Sequence, residues 1–232
     1  MDYNLLLIII GICGVSYILL SLLWHTWHLG IGPTASSHTA RQIITQHILE
    51  LCNKINQPDA LDRQVQPNQR ECSRTPEFMK VYELGSGWGG LSIYLAQQIT
   101  LNVERMGGRS LTSPISIRGY ELAFLPYLCS KLHWKLHQLW NSAFQTQTIQ
   151  PVRLTFHNTD FIPLIESLEP KGILFTYLCP KQMNRIADVL AQTEKPMDIY
   201  LLSLTFALPG HQAVHMERLP TVFRDPLYLY LI

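Results

Sequence analysis

The chain carries little charge: Asp, Glu, Lys and Arg make up 15% of its residues and leave a formal net charge of +1. Its basic residues are scattered rather than clustered, so it lacks the electrostatic footprint of a nucleic-acid binder. It has no Cys-x-x-C pair. Its five cysteines, Cys13, Cys52, Cys72, Cys129 and Cys179, are odd in number. That argues against a disulfide framework and against a zinc site, and reads as reduced thiols. Nine histidines include the i, i+4 pairs His133/His137 and His211/His215, a spacing that by itself is weak ground for a metal site. No metal is expected. Lys and Arg are absent before Arg41. No internal repeat is visible.

Apolar residues are plentiful, at 47%. Leu5 to Leu23 is an uncharged, largely aliphatic run, about the length that spans a hydrocarbon layer roughly 30 Å thick. Trp24 and Trp27 follow it, as amphipathic aromatics do at a membrane interface. A signal peptide would start with basic residues and have a shorter apolar core, whereas this chain starts Met-Asp-Tyr-Asn. Residues 1–28 are therefore expected to be an uncleaved, single-pass transmembrane anchor. Arg41 and Lys54 lie only on its C-terminal side, which places the body in the cytoplasm by the positive-inside rule.

Residues 29–76 read as a lead-in. Pro33-Thr34 breaks the chain, Thr39 to Lys54 has the spacing of a helix with Ile43, Ile44, Ile48, Leu51 and Ile55 on one face, and a polar, proline-containing loop follows. From Lys80, strands and helices alternate through residues 77–232. Strands are expected at Lys80–Leu84, Ile115–Tyr120, Arg153–His157, Gly172–Leu178 and Asp198–Leu208. Val214–Leu219 and Pro226–Ile232 read as a final strand pair. Helices are expected from the glycine turn to about Ile99, from Pro126 to Ser142 and from Pro180 to Gln192, with a polar insertion over Asn102–Pro114. This alternation predicts an α/β fold with a central, mostly parallel sheet.

The most informative stretch is Val81-Tyr82-Glu83-Leu84-Gly85-Ser86-Gly87-Trp88-Gly89-Gly90. A strand, a glycine turn and a helix start are the recipe for a nucleotide-like cofactor, because glycines admit close backbone approach and a helix N-terminus offers free N–H groups. Read literally, the turn also matches the dinucleotide pattern G-x-G-x-x-G, with Glu121 as its ribose acid. Glu83 points elsewhere, since a carboxylate beside a pyrophosphate adds like charge and suits a cationic ligand better. Glu121 closes the second strand and Asp160 follows the third, so both fall on one sheet edge.

With these motifs the chain resembles the S-adenosylmethionine-dependent methyltransferases of the Rossmann-like class. Within it, the chain is similar to a membrane-anchored group that includes small prokaryotic enzymes and the mitochondrial lysine methyltransferases of the adenine nucleotide translocase and the ATP synthase c-subunit. The residues that carry this likeness are Pro33-Thr34, Glu83-Leu84-Gly85-Ser86-Gly87, Gly119-Tyr120-Glu121-Leu122, Asp160-Phe161, Pro180-Lys181-Gln182-Met183 and Phe206-Ala207-Leu208-Pro209-Gly210. The family turn continues with Asp-Gly-Arg, where this chain has Trp88-Gly89-Gly90.

The resemblance implies a seven-stranded, mostly parallel sheet with a C-terminal antiparallel hairpin, preceded by the transmembrane helix. It implies S-adenosylmethionine as cofactor and methyl transfer to a lysine of a membrane-embedded protein. Glu83, Gly85, Ser86, Gly87 and Gly89 would face the methionine part, Glu121 with Leu122 the ribose, and Asp160 with Phe161 the adenine. Thr34, Tyr177 and Pro180 are candidates for the acceptor pocket. Bilayer and protein substrate are the expected partners. Methylation of a lipid or small hydrophobic molecule, a nicotinamide-dependent reductase and a silent scaffold remain open.

Overall fold

In the computed structural model the described residues are 3–29, 37–56, 78–105, 114–144, 152–168, 170–192 and 198–232. The strands are β1 (Met79–Leu84), β2 (Ile115–Tyr120), β3 (Val152–His157), β4 (Ile173–Thr176), β5 (Tyr200–Leu204), β6 (His215–Arg218) and β7 (Pro226–Leu231). The helices are α1 (Tyr3–Leu29), α2 (His38–Asn56), α3 (Gly90–Arg105), α4 (Phe124–Phe144), α5 (Ile162–Glu166) and α6 (Pro180–Ala191).

The strands form one sheet in the order β3-β2-β1-β4-β5-β7-β6. β1 to β5 pair in parallel, and β7 runs antiparallel to both β5 and β6. Burial follows position in the sheet. Central β1 and β4 are covered on both faces, as crossover helices require, whereas edge strand β3 alternates buried and open residues and β6 is largely open. Strand order reverses between β1 and β4, so the crevice outside their carboxyl ends is the ligand-binding position of an open α/β sheet. The glycine turn leaves β1 at that point.

The lead-in helix forms as its spacing predicts. Ala40, Ile44, Ile48, Leu51 and Cys52 of α2 are buried against α3 and the sheet, with Ile43 and Ile55 partly covered. His47 Nε2 lies 2.7 Å from Glu217 Oε1 on β6, which fastens α2 to the far end of the sheet. Among the described residues Cys13, Cys52, Cys129 and Cys179 are in no disulfide, and burial pushes the Cys52 thiol up to about 12.

Several expectations are corrected. Among the described residues no helix is long and apolar enough to cross a membrane, so the transmembrane anchor expected over 1–28 is not found. Side chains are described in α1 over residues 3–17 and at Leu20. All of them are exposed. The side chains of Trp24 and Trp27 lie outside the described residues, as do Pro33-Thr34 and the polar loop 57–77. α3 continues through Asn102 to Arg105, because Leu101 and Asn102 extend the helical register before the glycine pair is reached. β5 stops at Leu204 rather than Leu208: Thr205 takes a left-handed φ of 73° and the Ser203 hydroxyl donates to Phe206 O at 2.6 Å. The chain beyond it is tied down differently, with the Leu208 N–H donating to the Tyr230 hydroxyl at 2.8 Å. β4 ends at Thr176, which leaves Tyr177 and Leu178 on the loop above it. α5 was not expected. It begins where Asp160 Oδ1 accepts the Ile162 N–H at 3.1 Å, with Pro163 in its first turn, a position that suits proline.

Candidate functional site: the carboxyl edge of β1, β2 and β3

The turn after β1 is held by its own amides. The Gly85 and Ser86 N–H groups both donate to Tyr120 O at 2.9 Å, and the Gly89 N–H donates to Ser86 O at 2.8 Å. Gly85, Gly87 and Gly89 have φ of 73°, 51° and 73°, a left-handed region that side chains with a Cβ rarely adopt. Space demands glycine as well. A Cβ on Gly89 would sit 2.6 Å from Ser130 Cβ and 2.8 Å from Phe156 Cζ, and one on Gly85 would run into Leu178 Cδ2. The Ser86 hydroxyl oxygen is buried with no hydrogen-bond partner among the described residues, an unmet polar group in the wall of the cradle.

Glu121 links the turn to the second strand. Its Oε2 accepts the Gly87 N–H and its Oε1 accepts the Ala123 N–H, each at 2.8 Å. It is buried. Asn158 fixes the chain around it, donating from Nδ2 to Glu121 O at 2.9 Å and to Leu122 O at 3.0 Å. The Leu122 side chain is exposed at the rim.

Glu83 is turned inward rather than toward solvent. Its carboxyl accepts the Ser92 hydroxyl from the first turn of α3, and it is almost fully covered. Burial pushes its pKa up to about 8. The Ser92 bonds and the Arg41 charge oppose that rise, and the Glu121 charge adds to it. The group is therefore largely protonated at neutral pH, and the cradle carries less negative charge than its composition suggests.

At Trp88-Gly89-Gly90 the turn meets α2: the Arg41 guanidinium lies 3.0–3.3 Å from the point where a Gly90 Cβ would be. A bulkier residue than glycine at the head of α3 would displace it.

Asp160 sits beyond β3. Its Oδ2 pairs with Arg185 Nη2 on α6 at 2.7 Å. Burial alone would raise its carboxyl, but the bonds from Arg185 and from the Ile162 and Phe161 amides outweigh that and hold it below the usual carboxylate range. Phe161 is buried beside it, with the Arg185 guanidinium 5.8 Å from the ring centre. Tyr177 and Pro180 lie past the end of β4, Tyr177 half-buried and Pro180 exposed as the first residue of α6.

The sheet thus brings Glu83, the glycine turn, Glu121, Leu122, Asp160 and Phe161 to one edge, with Tyr177 and Pro180 next to them. Thr34 falls outside the described residues. Sequence reasoning missed Ser92, Asn158, Arg41 and Arg185. Ser92 had a signal, since a hydroxyl in the first turn after the glycines faces the strand end. Arg41 and Arg185 had none, because their contacts depend on how α2 and α6 pack.

The strand order sets β7, reversed, between β5 and β6 at the end of an otherwise parallel α/β sheet. No protein-family profile matches the chain, and no curated protein sequence matches it. Among solved structures it is similar to the rRNA methyltransferase AviRa from Streptomyces viridochromogenes, at 7% identity over 67% of this chain and 77% of that one, with a TM-score of 0.40. It is similar to a precorrin-8w decarboxylase from Methanobacterium thermoautotrophicum, at 9% identity over 86% and 92%, TM-score 0.45. It is also similar to a protein described as a caffeoyl-CoA O-methyltransferase from Staphylococcus aureus, at 12% identity over 73% and 58%, TM-score 0.40.

Proposed function

We propose that this chain is an S-adenosylmethionine-dependent methyltransferase that works at a membrane and methylates a lysine of a membrane protein. One observation carries the cofactor reading: the left-handed glycine turn at the β1/β4 switch point is bonded through the Gly87 N–H to the acid that ends β2. Glycine at Gly85 and Gly89 lets the turn pack against Leu178, Ser130 and Phe156, and the buried Ser86 hydroxyl, with no partner among the described residues, is a polar group such a cofactor could meet.

In this reading the backbone of Gly85, Gly87 and Gly89 binds the methionine part, with the inward-turned Glu83 carboxyl behind the turn. Glu121 takes the ribose hydroxyls, with Leu122 at the rim. Asp160 takes the adenine amine, and Phe161 packs beside the ring. The cofactor supplies a methyl group already activated on a sulfonium, so the protein's task is to position and desolvate the reactants. A lysine acceptor must arrive neutral, since its ammonium form has no lone pair. Tyr177, Pro180 and Thr34 are the residues we assign to its approach.

Membrane contact is assigned to α1, whose described aliphatic side chains are exposed on every face, a poor arrangement for water. The cytoplasmic placement of the body, from Arg41 and Lys54, belongs to the same proposal.

Calorimetric titration with S-adenosylmethionine and with NADH, on the wild type and Glu121→Ala, tests the cofactor. Binding of the first, lost in the variant, is the expected result. NADH binding alone sinks the reading. Tritiated-methyl labelling of membranes from cells lacking or overproducing the protein tests the acceptor: label in protein supports a lysine, and label in the lipid extract overturns it.

A further inference from the structure

We infer that the outward face of α4 is a docking surface for an anionic lipid membrane. This rests on the membrane reading above only in requiring a bilayer within reach.

α4 buries Pro126 and Ser130 and packs Tyr127 and Trp134 against the core, with the Trp134 and His137 rings stacked. Its outer side carries Phe124, Leu128, Leu132, Leu136, Leu139 and Trp140, exposed between 46% (Leu128) and 69% (Trp140). Phe124, Leu128, Leu132, Leu136 and Trp140 follow one another a helical turn apart, so they form one continuous ridge. A helix facing water places charged residues there. Beside the ridge α4 exposes Lys131, Lys135 and His133, and it has no carboxylate.

That pattern, an apolar face edged with lysines and including a tryptophan, is the chemistry of a helix lying in the headgroup layer of an anionic membrane. Lysine stems run along apolar surface while their ammonium groups reach the phosphates. In this structure the Lys131 ammonium rests on its neighbour, with Nζ 5.3 Å from the Tyr127 ring centre and 3.2 Å from its hydroxyl. Charge complementarity separates the lipid surface from a second copy of the chain. A two-fold pairing sets the same patch against itself, so lysine would face lysine with no acid on the helix to meet it.

The placement has a functional consequence. α4 begins at Phe124, just past Glu121 and the exposed Leu122. The apolar ridge therefore starts at the rim of the cradle, and docking by α4 sets that rim against the headgroups.

The test uses the full chain in lipid nanodiscs, of phosphatidylcholine alone or mixed with phosphatidylglycerol, with brominated acyl chains as quencher. The difference between wild type and Trp140→Phe isolates Trp140 emission. We expect quenching of Trp140 in the phosphatidylglycerol discs, and its loss in Lys131→Glu/Lys135→Glu, while Trp24 and Trp27 stay quenched. Circular dichroism checks that the variants are folded. Trp140 emission that ignores brominated lipid in both discs overturns the proposal. So does a dimer that Leu132→Ser/Leu136→Ser converts to monomer with Trp140 quenching unchanged. If the protein does not enter discs at all, the α1 reading fails by itself. Co-sedimentation with phosphatidylglycerol vesicles then decides for or against α4, through the same lysine variants.

Discussion

The Glu121 carboxylate accepts the Gly87 N–H at 2.8 Å across the gap between the ends of β2 and β1. A single buried side chain therefore sets the shape of the glycine turn as well as facing the crevice.

Glu121→Ala leaves the Gly87 and Ala123 amides without their acceptor, and each buried unmet amide costs about 1–3 kcal/mol. We expect a fall in stability of about 2–4 kcal/mol by urea denaturation, together with loss of S-adenosylmethionine binding. Glu121→Gln retains one acceptor oxygen and should recover part of the stability and little of the binding. Equal stability of Ala and wild-type proteins would show that the clasp does not form.

Glu83 has a pKa raised by burial to about 8, from an ordinary 4.5. The folded protein thus holds a proton that the unfolded chain releases above its ordinary value. The sign follows: Glu83's contribution to stability is fully present below about pH 4.5 and is lost as pH rises through about 8. Glu83→Gln should flatten the decline in Tm across that window. Arg41→Ala removes a charge that holds the pKa down, so it should move the upper limit to higher pH. A cationic ligand bound near Glu83 should expel the proton, which calorimetry at pH 7 in buffers of different ionisation enthalpy reads directly.

Gly89→Ala forces a left-handed φ of 73° on alanine and drives its Cβ to 2.6 Å from Ser130 Cβ and 2.8 Å from the Phe156 ring. Strain of this kind costs about 1–3 kcal/mol before any steric clash. Thermal denaturation should show a Tm lower by several degrees, and cofactor affinity should fall further than stability.

Asp160 and Arg185 form an ion pair with side chains 31% and 39% exposed. Solvent screens such pairs, so Asp160→Asn should cost no more than about 1 kcal/mol. The Asp160 pKa is depressed, so this contribution is present above its ordinary value of 3.8 and fades as pH falls through the folded value. Its effect on S-adenosylmethionine affinity should exceed its effect on stability. The reverse order, measured by titration and urea melts, would remove Asp160 from the adenine site.

What could be read from the sequence was set by local rules. β1 and its turn were legible because Val81 and Tyr82 are strand formers, Leu84 is apolar, and Gly85, Gly87 and Gly89 sit where left-handed backbone is needed. β2, β3 and the stripe on α2 followed from periodicity. α5 was hidden because Pro163 and a span of only five residues give no helical period. β5 ended early because Thr205 takes a backbone conformation that its type does not announce. At the site, Glu121 and Asp160 were found from their places at strand ends. Their partners were not, because the Gly87, Ala123 and Arg185 contacts exist only once the sheet and α6 have assembled. Glu83 was read as a charge, and burial against Ser92 makes it mostly an acid.

The place of β7 orders the assembly of the protein in time. β6 pairs with β7 and with no other strand among the described residues, yet it is synthesised first. While the chain grows, β6 is a strand without a sheet and the edge of β5 is bare. Exposed edges of this kind invite wrong pairing. The crevice, by contrast, draws on β1 to β4 and their loops, all translated earlier. The binding edge is therefore complete in sequence before β7 is there to join β6 to the rest of the sheet.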